Sequence, residues 1–392
     1  MSRSVSVRST IAGAAVLLAI ALVAAGCSDR DLPPTSTASA PASAAPAPIP
    51  EPTASGGAPT LSADGGSGDE SGDEDDDGSR VEPSAFPDWM TRPASDAPPC
   101  SAPTDRVSTA DQLQAALDSA GPGTVIRLAA GTYVGQFVTT ASGTAEQPAR
   151  LCGPVDAVLD GGGQQKGYVL HLDGAKYWMV DGFTVRNGQK GLVADGTVGT
   201  TISGLTVYGT GDEAVHLRKF STDNLVVGNT ISDTGSRKPK FGEGIYIGTA
   251  NSNWCDITDC DPDLSDRNTV TGNAVYATSS EPVDIKEGTS DGVLSGNQFD
   301  GSTISGADSW VDVKGNDWTV SDNVGRNSPM DGFQAHDVYD GWGTRNVFTG
   351  NSGSLTNGEG VLVALKPVND NRVACDNRLL DGIGELSNTA CH

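Results

Sequence analysis

Two short segments of the chain carry an acid and a base at the same spacing. In EPVDIKEGT, Asp284 and Lys286 stand between apolar neighbours, and in SWVDVKGND, Asp312 and Lys314 repeat the arrangement. Alternation of polar and apolar residues is typical of a strand with one buried face, so these charged side chains are expected on the outer face. A lysine in such a cluster is a candidate base for removing a carbon-bound proton.

Strands of this kind recur along the chain at nearly constant intervals. The copies are VLHL, GLVA, AVHL, GIYI, PVDI, WVDV, GFQA and GVLV. A second string, a β-branched run followed by Gly or Asp and then Asn, recurs at Asn229, Asn273, Asn297, Asn323, Asn351 and Asn377. Most steps are 24 to 28 residues, and the step of 44 after Asn229 contains an insertion. A repeat of this length indicates a solenoid.

These repeats resemble the coils of the right-handed parallel β-helix of the pectin-lyase-like superfamily, over about residues 100–392. The resemblance implies an all-β fold of about ten coils, with equivalent residues stacked at roughly 4.8 Å. The repeated asparagines are expected to form an internal amide ladder. An amphipathic helix at 108–120, with Thr109 and Gln112 as a capping box, is expected to cap the N-terminal end.

Stacking of the coils predicts two outward columns of polar side chains. The first holds His216, Tyr246, Asp284, Asp312 and Gln334, and the second holds Arg218, Lys286, Lys314 and His336. The last coil is expected to place Leu362 opposite Gln334 and Ala364 opposite His336. A basic strip in a chain of net charge −25 favours an anionic ligand.

This strip fits a lyase that cleaves a uronic-acid-containing glycan by β-elimination. The reaction needs a base, a cation that neutralises the uronate carboxylate and an acid for the leaving oxygen. The domain is similar to β-helical polysaccharide lyases of the pectate lyase and alginate/chondroitin lyase groups, which implies a lysine base on this sheet. Lys286 is the first choice and Lys314 the second, because a neighbouring ammonium lowers a lysine pKa. His336 or Tyr246 is the expected acid.

Substrate-binding residues and a metal site are expected close to the strip. The binding residues are Arg218, His216, Tyr246 and Gln334, with Arg237, Lys238 and Lys240 from the loop GSRKPKFGE. Calcium is the one cofactor expected, since acids that hold calcium also recur in the similar lyases. The candidate ligands are Glu213, Glu243 and Glu281 at the starts of the strands, or Asp259, Asp261, Asp263 and Asp266 in the insertion. The D-x-D-x-D spacing of the second set is similar to calcium loops.

Three other functions fit the same scaffold. Asp284 and Asp312, one coil apart, are expected near the ~5–5.5 Å separation of a retaining glycoside hydrolase. A uronate epimerase would share proton abstraction with a lyase. A non-catalytic carbohydrate-binding or structural surface protein would need none of this chemistry, because a fold alone does not decide activity.

The N-terminal quarter of the chain is expected to be an export signal and a tether. Residues 1–27 resemble a bacterial lipoprotein signal peptide, because an apolar run ends in VAAGC with Cys27 at the lipidation position. Residues 28–95, rich in Pro, Ala, Ser, Gly and Asp, predict a disordered tether before the domain at 96–392. The expected product is an exported monomer, held at the outer face of the bacterial cell membrane by lipid alone.

The remaining cysteines indicate the compartment in which the protein works, and its net charge indicates the class of partner. The cysteines of the domain are Cys100, Cys152, Cys255, Cys260, Cys375 and Cys391. An even number in an exported chain indicates disulfides, and order and proximity favour pairs 100–152, 255–260 and 375–391, although the sequence alone leaves other pairings open. An acidic polysaccharide is the expected partner, whereas the acidic charge argues against nucleic acid.

Overall fold

The chain folds as a parallel β-helix of about ten coils, seen in a computed structural model that describes residues 82–94 and 99–392. Each coil contributes strands to three sheets. Within each sheet, a strand pairs in parallel with the equivalent strand of the next coil. The proposed signal peptide, Cys27 and residues 28–81 lie outside the described residues. Within the described ranges, no helix has the length and apolar character needed to cross a bilayer.

Sheet A has eleven strands. They are β1 (Asp105–Val107), β2 (Val125–Leu128), β5 (Ala149–Cys152), β8 (Trp178–Asp181), β11 (Thr201–Ser203), β14 (Leu225–Val227), β17 (Thr269–Thr271), β20 (Val293–Ser295), β23 (Thr319–Ser321), β26 (Val347–Thr349) and β29 (Arg372–Val373).

Sheet B has ten strands. They are β3 (Gly131–Val134), β6 (Ala157–Asp160), β9 (Thr184–Arg186), β12 (Thr206–Tyr208), β15 (Thr230–Ser232), β18 (Ala274–Val275), β21 (Gln298–Asp300), β24 (Val324–Ser328), β27 (Ser352–Leu355) and β30 (Arg378–Leu379).

Sheet C has ten strands and carries the candidate site. They are β4 (Phe137–Thr139), β7 (Tyr168–Asp173), β10 (Lys190–Asp195), β13 (Val215–Arg218), β16 (Ile245–Ile247), β19 (Val283–Ile285), β22 (Ser309–Val313), β25 (Asp331–His336), β28 (Val361–Lys366) and β31 (Glu385–Ser387). The helices are α1 (Ala110–Asp118), α2 (Trp254–Ile257) and two 3₁₀ segments, Pro239–Phe241 and Asn251–Asn253.

The alternation read from the sequence sets the inner and outer faces of sheet C. Val283, Ile285, Val311 and Val313 are fully buried in the core that the three sheets enclose. Asp284 pairs with Asp312 across adjacent rungs, as expected for stacked coils. Burial of these branched apolar side chains, each worth about 1.5–3 kcal/mol, fixes the polar residues between them on the outside.

The expected asparagine ladder is confirmed. Asn273 Nδ2 donates to Asn297 Oδ1 at 2.9 Å, and the same bond links Asn229 to Asn273 and Asn297 to Asn323. The ladder continues through Asn351 to Asn377. Each Oδ1 also accepts the backbone N–H of the preceding asparagine in the ladder, so buried amide groups of successive coils satisfy one another.

The helix and the disulfides also match the expectations. Thr109 Oγ1 caps α1 by accepting the backbone N–H of Gln112, and α1 buries Leu113 and Leu117 in the core beside the first coil. The disulfides are Cys100–Cys152, Cys255–Cys260 and Cys375–Cys391.

Two expectations about the chain ends are wrong. In the last coils, Gln334 pairs with Ala364 and His336 pairs with Lys366, two residues further along than expected. The motif GVLV predicts a strand limited to its own four residues, whereas β28 continues to Lys366 and pairs with β25 through residues 363–366.

The second error concerns residues 82–94, which the sequence composition predicts to be part of the disordered tether. They pack on the outside of sheet B, where Met90 is buried against Tyr276 and the Trp89 indole donates to Asp300 at 2.7 Å. Phe86 also meets the Tyr276 ring edge-on at 5.4 Å. These aromatic residues give the segment enough apolar surface to bury, unlike the acidic stretch before it.

Candidate active site

A cleft lies on the outer face of sheet C, above β10, β13 and β16. Its volume is about 290 Å³. The lining residues are Gln189, Lys190, Asp212, Glu213, His216, Arg218, Arg237, Phe241, Tyr246, Thr249, Asn253, Asp256 and Ile257. One wall is the loop around the 3₁₀ segment at Phe241, and the other is the insertion that contains α2. The long step in the repeat therefore supplies the walls of the cleft.

The repeated acids and lysines form one chain of ion pairs beside the cleft. Lys314 Nζ lies 2.7 Å from Asp284 Oδ1 and 2.7 Å from Asp312 Oδ2. Lys286 Nζ lies 2.5 Å from Asp284 Oδ2, and His336 Nδ1 lies 2.7 Å from Asp312 Oδ1. The five residues that the sequence predicts to lie together are therefore in contact in the structure.

The pKa of Lys286 shifts in the direction opposite to the one expected. Burial alone would lower it, but the carboxylate of Asp284 outweighs burial and raises it above its usual value. Asp284 and Asp312 raise the pKa of Lys314 in the same way, against burial and the ammonium of Lys286. The acids dominate because they lie in direct contact with the amines. Both lysines are therefore cations at neutral pH.

The same contacts make the Asp284–Asp312 pair a poor hydrolase pair. Burial would raise the pKa of Asp312, but Lys314 and His336 lower it below its usual range. A glycoside hydrolase needs one of its two carboxyl groups protonated as the acid. Lys314 instead bridges the two carboxylates, and the lowered pKa of Asp312 makes that residue unsuited to be the acid.

Next to this chain, three side chains of adjacent rungs are in contact. The rings of His216 and Tyr246 meet edge-on with centroids 4.4 Å apart. Lys286 Nζ lies 5.0 Å from the centroid of the Tyr246 ring. Burial, followed by the charge of Asp284, raises the pKa of Tyr246 well above its usual value, so the phenol keeps its proton at neutral pH.

His216 is held as a neutral ring of known tautomer. Its Nε2 lies 2.9 Å from the carbonyl oxygen of Gly248, and because a carbonyl can only accept, Nε2 must carry the proton. Burial, with the charges of Lys190 and Arg218, lowers the pKa of His216 well below its usual value. The lone pair of Nδ1 is therefore the basic atom of the ring.

Lys190 is a functional candidate that the sequence reading missed. Its Nζ lies 2.9 Å from Glu213 Oε1 and 3.3 Å from His216 Nδ1, and it lines the cleft. The repeat KGLVAD carries it at the start of β10, in the position that Glu213 takes in the next coil. The charge difference between these two equivalent positions was the available signal.

The predicted glutamate cluster forms only in part. Glu243, Glu281 and Asp284 bring carboxylate oxygens within 4.8 Å of one another, whereas Glu213 is paired with Lys190 instead. Burial raises the pKa of Glu281 to about 7, and burial with the charge of Glu213 raises that of Glu243 well above its usual value. Both oxygens of Asp284 already face ammonium groups, so lysines supply the positive charge that a metal would bring to this cluster.

The alternative aspartate set has a structural role. Asp263 is fully buried, and its carboxylate accepts the backbone N–H groups of Lys219 and Phe220 and the hydroxyl of Thr249. It therefore fastens the insertion to the coil beneath it. Among the described residues, Asp259, Asp261, Asp263 and Asp266 do not form a cluster of three carboxylates within metal-binding distance.

The predicted substrate-binding residues divide into two groups. Arg218 and Arg237 line the cleft and are paired, Arg218 with Asp195 at 2.7 Å and Arg237 with Asp212. His216 and Tyr246 line it as well. Lys238 and Lys240 are exposed on the loop and do not line the cleft, and Gln334 is buried, donating to Asp308 and Asp331.

Comparison with known proteins adds one close relative. No protein-family model matches the chain, and no curated protein matches it. The solved structure of an alginate lyase from Paenibacillus sp. str. FPU-7 is 34% identical, with a TM-score of 0.67, and the match covers 73% of this chain and 100% of that chain. The structure of pectate lyase Pel9A, 12% identical with a TM-score of 0.51, shares the fold over 74% of this chain and 79% of that chain.

Proposed function

The chain belongs to the family of the Paenibacillus alginate lyase, and from this premise we propose that it cleaves alginate or a similar polyuronate by β-elimination. The observation that carries the proposal is the contact of Lys286, Tyr246 and His216 on adjacent rungs of sheet C. Together they offer a cation, an acid and a base beside one cleft.

Lys286 neutralises the carboxylate of the sugar that loses its proton. The sequence suggested Lys286 as the base, but a lysine held charged by Asp284 is better suited to pair with an anion. Among the residues that the structure describes, its ammonium contacts one carboxylate, that of Asp284, so further donors remain for the substrate. Lys314 contacts two protein carboxylates, those of Asp284 and Asp312, and its role is therefore to hold these two side chains in place.

His216 and Tyr246 divide the proton transfers. His216 Nδ1 takes the proton from C5, and the electron pair of that C–H bond forms the C4–C5 double bond. The C4–O bond breaks, and the Tyr246 hydroxyl gives its proton to the departing glycosidic oxygen, which becomes a new reducing end. A neutral imidazole and a protonated phenol have the forms that these two roles require.

A chelator tests directly whether the reaction needs calcium, the cofactor expected from the sequence. Because Lys286 and Lys314 already neutralise Asp284, the proposed reaction needs no metal in this cluster. Turnover of alginate should survive treatment with a chelator. Loss of turnover that added calcium restores would instead assign Glu243 and Glu281 to a metal.

Export and lipidation are proposed from the sequence. The three disulfides suit an oxidising compartment, and VAAGC suits lipidation at Cys27. Cells fed a labelled fatty acid should label the wild-type chain but not a Cys27→Ser variant. Equal labelling of both would remove the lipoprotein assignment.

The test of the activity is the appearance of unsaturated uronate. Purified protein incubated with alginate should raise the ultraviolet absorbance of the C4–C5 double bond. Binding without this signal would favour the carbohydrate-binding alternative.

A further inference from the structure

We propose that Lys190 is a specificity residue that binds the carboxylate of a second uronate, on the opposite side of the His216–Tyr246 pair from Lys286. This inference rests on the proposed function and narrows its substrate to polymers with adjacent uronates. It concerns a residue on β10 that lines the cleft, three rungs from Lys286, which directly follows β19.

The first step is the order of side chains along sheet C. Strands β10, β13 and β16 are consecutive rungs that carry Lys190, His216 and Tyr246, and Lys286 directly follows β19 on the next rung. Contacts join the four side chains in that order: Lys190 Nζ lies 3.3 Å from His216 Nδ1, the His216 and Tyr246 ring centroids are 4.4 Å apart, and Lys286 Nζ lies 5.0 Å from the Tyr246 centroid. The acid–base pair lies between them, so a glycan that spans the pair reaches both ammonium groups.

The second step is that Lys190 has a donor to offer. An ammonium has three N–H donors, and Lys190 Nζ directs two of them to Glu213 Oε1 and His216 Nδ1. Within residues 82–94 and 99–392, no third acceptor lies within hydrogen-bonding distance of Nζ. Its side chain is 13% exposed and borders the cleft, so the third donor can meet a ligand.

The third step distinguishes Lys190 from the other cations of the cleft. Arg218 and Arg237 each form two hydrogen bonds to one carboxylate, with Asp195 and Asp212. Such bidentate pairs are strong and geometrically specific. Lys190 makes a single contact to Glu213 and a longer one to His216. It is the cleft cation whose contacts a substrate carboxylate displaces most easily.

The fourth step links this recruitment to the proposed base. Lys190 Nζ now faces His216 Nδ1, the atom proposed to take the proton. A carboxylate that draws Lys190 toward itself frees that lone pair. The other charged or titratable groups around His216 are Asp195, Arg218, Glu213 and Tyr246. A polymer with a carboxylate on each flanking sugar therefore binds to both lysines and also frees His216 Nδ1 to act as the base.

The inference separates two classes of acidic polysaccharide. A homopolyuronate carries a carboxylate on every sugar, whereas hyaluronan carries one on every second sugar. Two carboxylate sites flanking one cleavage point favour the first class. A hydrogen bond to a charged group is worth about 1.5–3 kcal/mol, or roughly 10- to 100-fold in affinity.

The experiment measures binding in the full chain with the acid removed. Calorimetry would compare Tyr246→Phe with Tyr246→Phe/Lys190→Met, using an alginate oligosaccharide and a hyaluronan oligosaccharide of equal length. The Lys190→Met change should weaken alginate binding about 10-fold or more and leave hyaluronan binding within about 2-fold. Lys190→Arg should retain most of the alginate affinity. Lys176→Met, the same charge change at an exposed position outside the cleft, should change neither.

An equal loss for both oligosaccharides, or no loss for either, would overturn the assignment of Lys190. This outcome is separate from the fate of the proposed function. A chain that binds alginate through Lys190 but never forms the double bond would refute the lyase and keep the binding site. A chain that forms the double bond equally well with Lys190→Met would keep the lyase and refute the binding site.

Discussion

The ammonium of Lys286 lies 5.0 Å from the centroid of the Tyr246 ring. In β-elimination the carboxylate to be neutralised and the oxygen to be protonated sit on neighbouring carbons of one sugar. A cation and a phenol in such close contact can serve both atoms at once. The relationship exists because Tyr246 and Asp284 are directly paired on adjacent rungs, and Lys286 comes two residues after Asp284, just past the end of β19.

Replacing Lys286 with Ala should lower kcat/KM on alginate by about 10²–10³-fold, the usual cost of losing one stabilising group at a developing charge. Lys286→Arg should recover part of the loss, because it restores the positive charge. Lys176→Ala is the control for removal of an exposed lysine. Unchanged turnover in Lys286→Ala, with folding confirmed by circular dichroism, would remove Lys286 from the mechanism.

Tyr246→Phe should reduce kcat by about 10²–10⁴-fold with little change in KM. The hydroxyl is proposed to act on the leaving oxygen, and the ring that contacts His216 is kept. The thermal midpoint should stay close to that of the wild type. A large rise in KM with unchanged kcat would show a binding role for the hydroxyl instead.

The pH dependence of kcat/KM tests His216 as the base. A base works in its unprotonated form, and burial with the charges of Lys190 and Arg218 lowers the pKa of His216 well below its usual 6.5. Activity should therefore stay level as the pH falls through 6.5 and decline only in more acidic buffer. In Lys190→Met the decline should begin at higher pH. A wild-type profile that already falls at pH 6.5 or above would contradict the assignment.

The free energy of unfolding should also depend on pH through the buried acids, and Glu281 sets the direction of that dependence. Its pKa is raised to about 7 by burial and by Asp284, above the usual ~4.3 of an unfolded chain. The folded state binds this proton more tightly, so the stabilisation is complete below about pH 4.3 and is lost as pH rises through 7. Glu281→Gln should flatten this part of the curve of unfolding free energy against pH. An unaltered slope between pH 4.3 and 7 would contradict it.

The asparagine ladder should matter to folding rather than to chemistry. Asn297 is fully buried and bonds to both neighbouring asparagines and to the carbonyl oxygen of Val270. Asn297→Ala should lower the free energy of unfolding by several kcal/mol, since each orphaned buried group costs about 1–3 kcal/mol. Asn357→Ala, at an exposed position, is the control, and urea titration measures both. A loss below about 1 kcal/mol would show that water replaces the missing amide.

The sequence was informative wherever a repeat fixed the position of a side chain. Alternation placed Asp284, Lys286, Asp312 and Lys314 on one surface, and the Asn spacing anticipated the ladder. The direction of the pKa shifts within the cluster was harder to predict from the sequence, because a pKa depends on which charged atoms are in direct contact. The sequence weighed Lys314 as the neighbour of Lys286, whereas Asp284 lies nearer and raises the pKa.

Lys190 was missed for a related reason. It stands at the corner where the chain turns into sheet C, outside the outward columns that alternation defines. It aligns with Glu213 in the next coil, yet its ammonium also reaches His216, three residues further along. Residues 82–94 were misjudged because composition was averaged over the whole linker, which hid three aromatic or sulfur side chains close together. Both errors concern residues that lie outside the two outward columns defined by alternation.

The most direct test of the account is the product of the purified full chain acting on alginate. Absorbance of the C4–C5 double bond, followed by mass spectrometry of the oligosaccharides, distinguishes elimination from hydrolysis. The account expects unsaturated products lighter by one water than the hydrolytic ones, and their loss in Tyr246→Phe. Saturated products, or unsaturated products formed equally well by Tyr246→Phe, would contradict it.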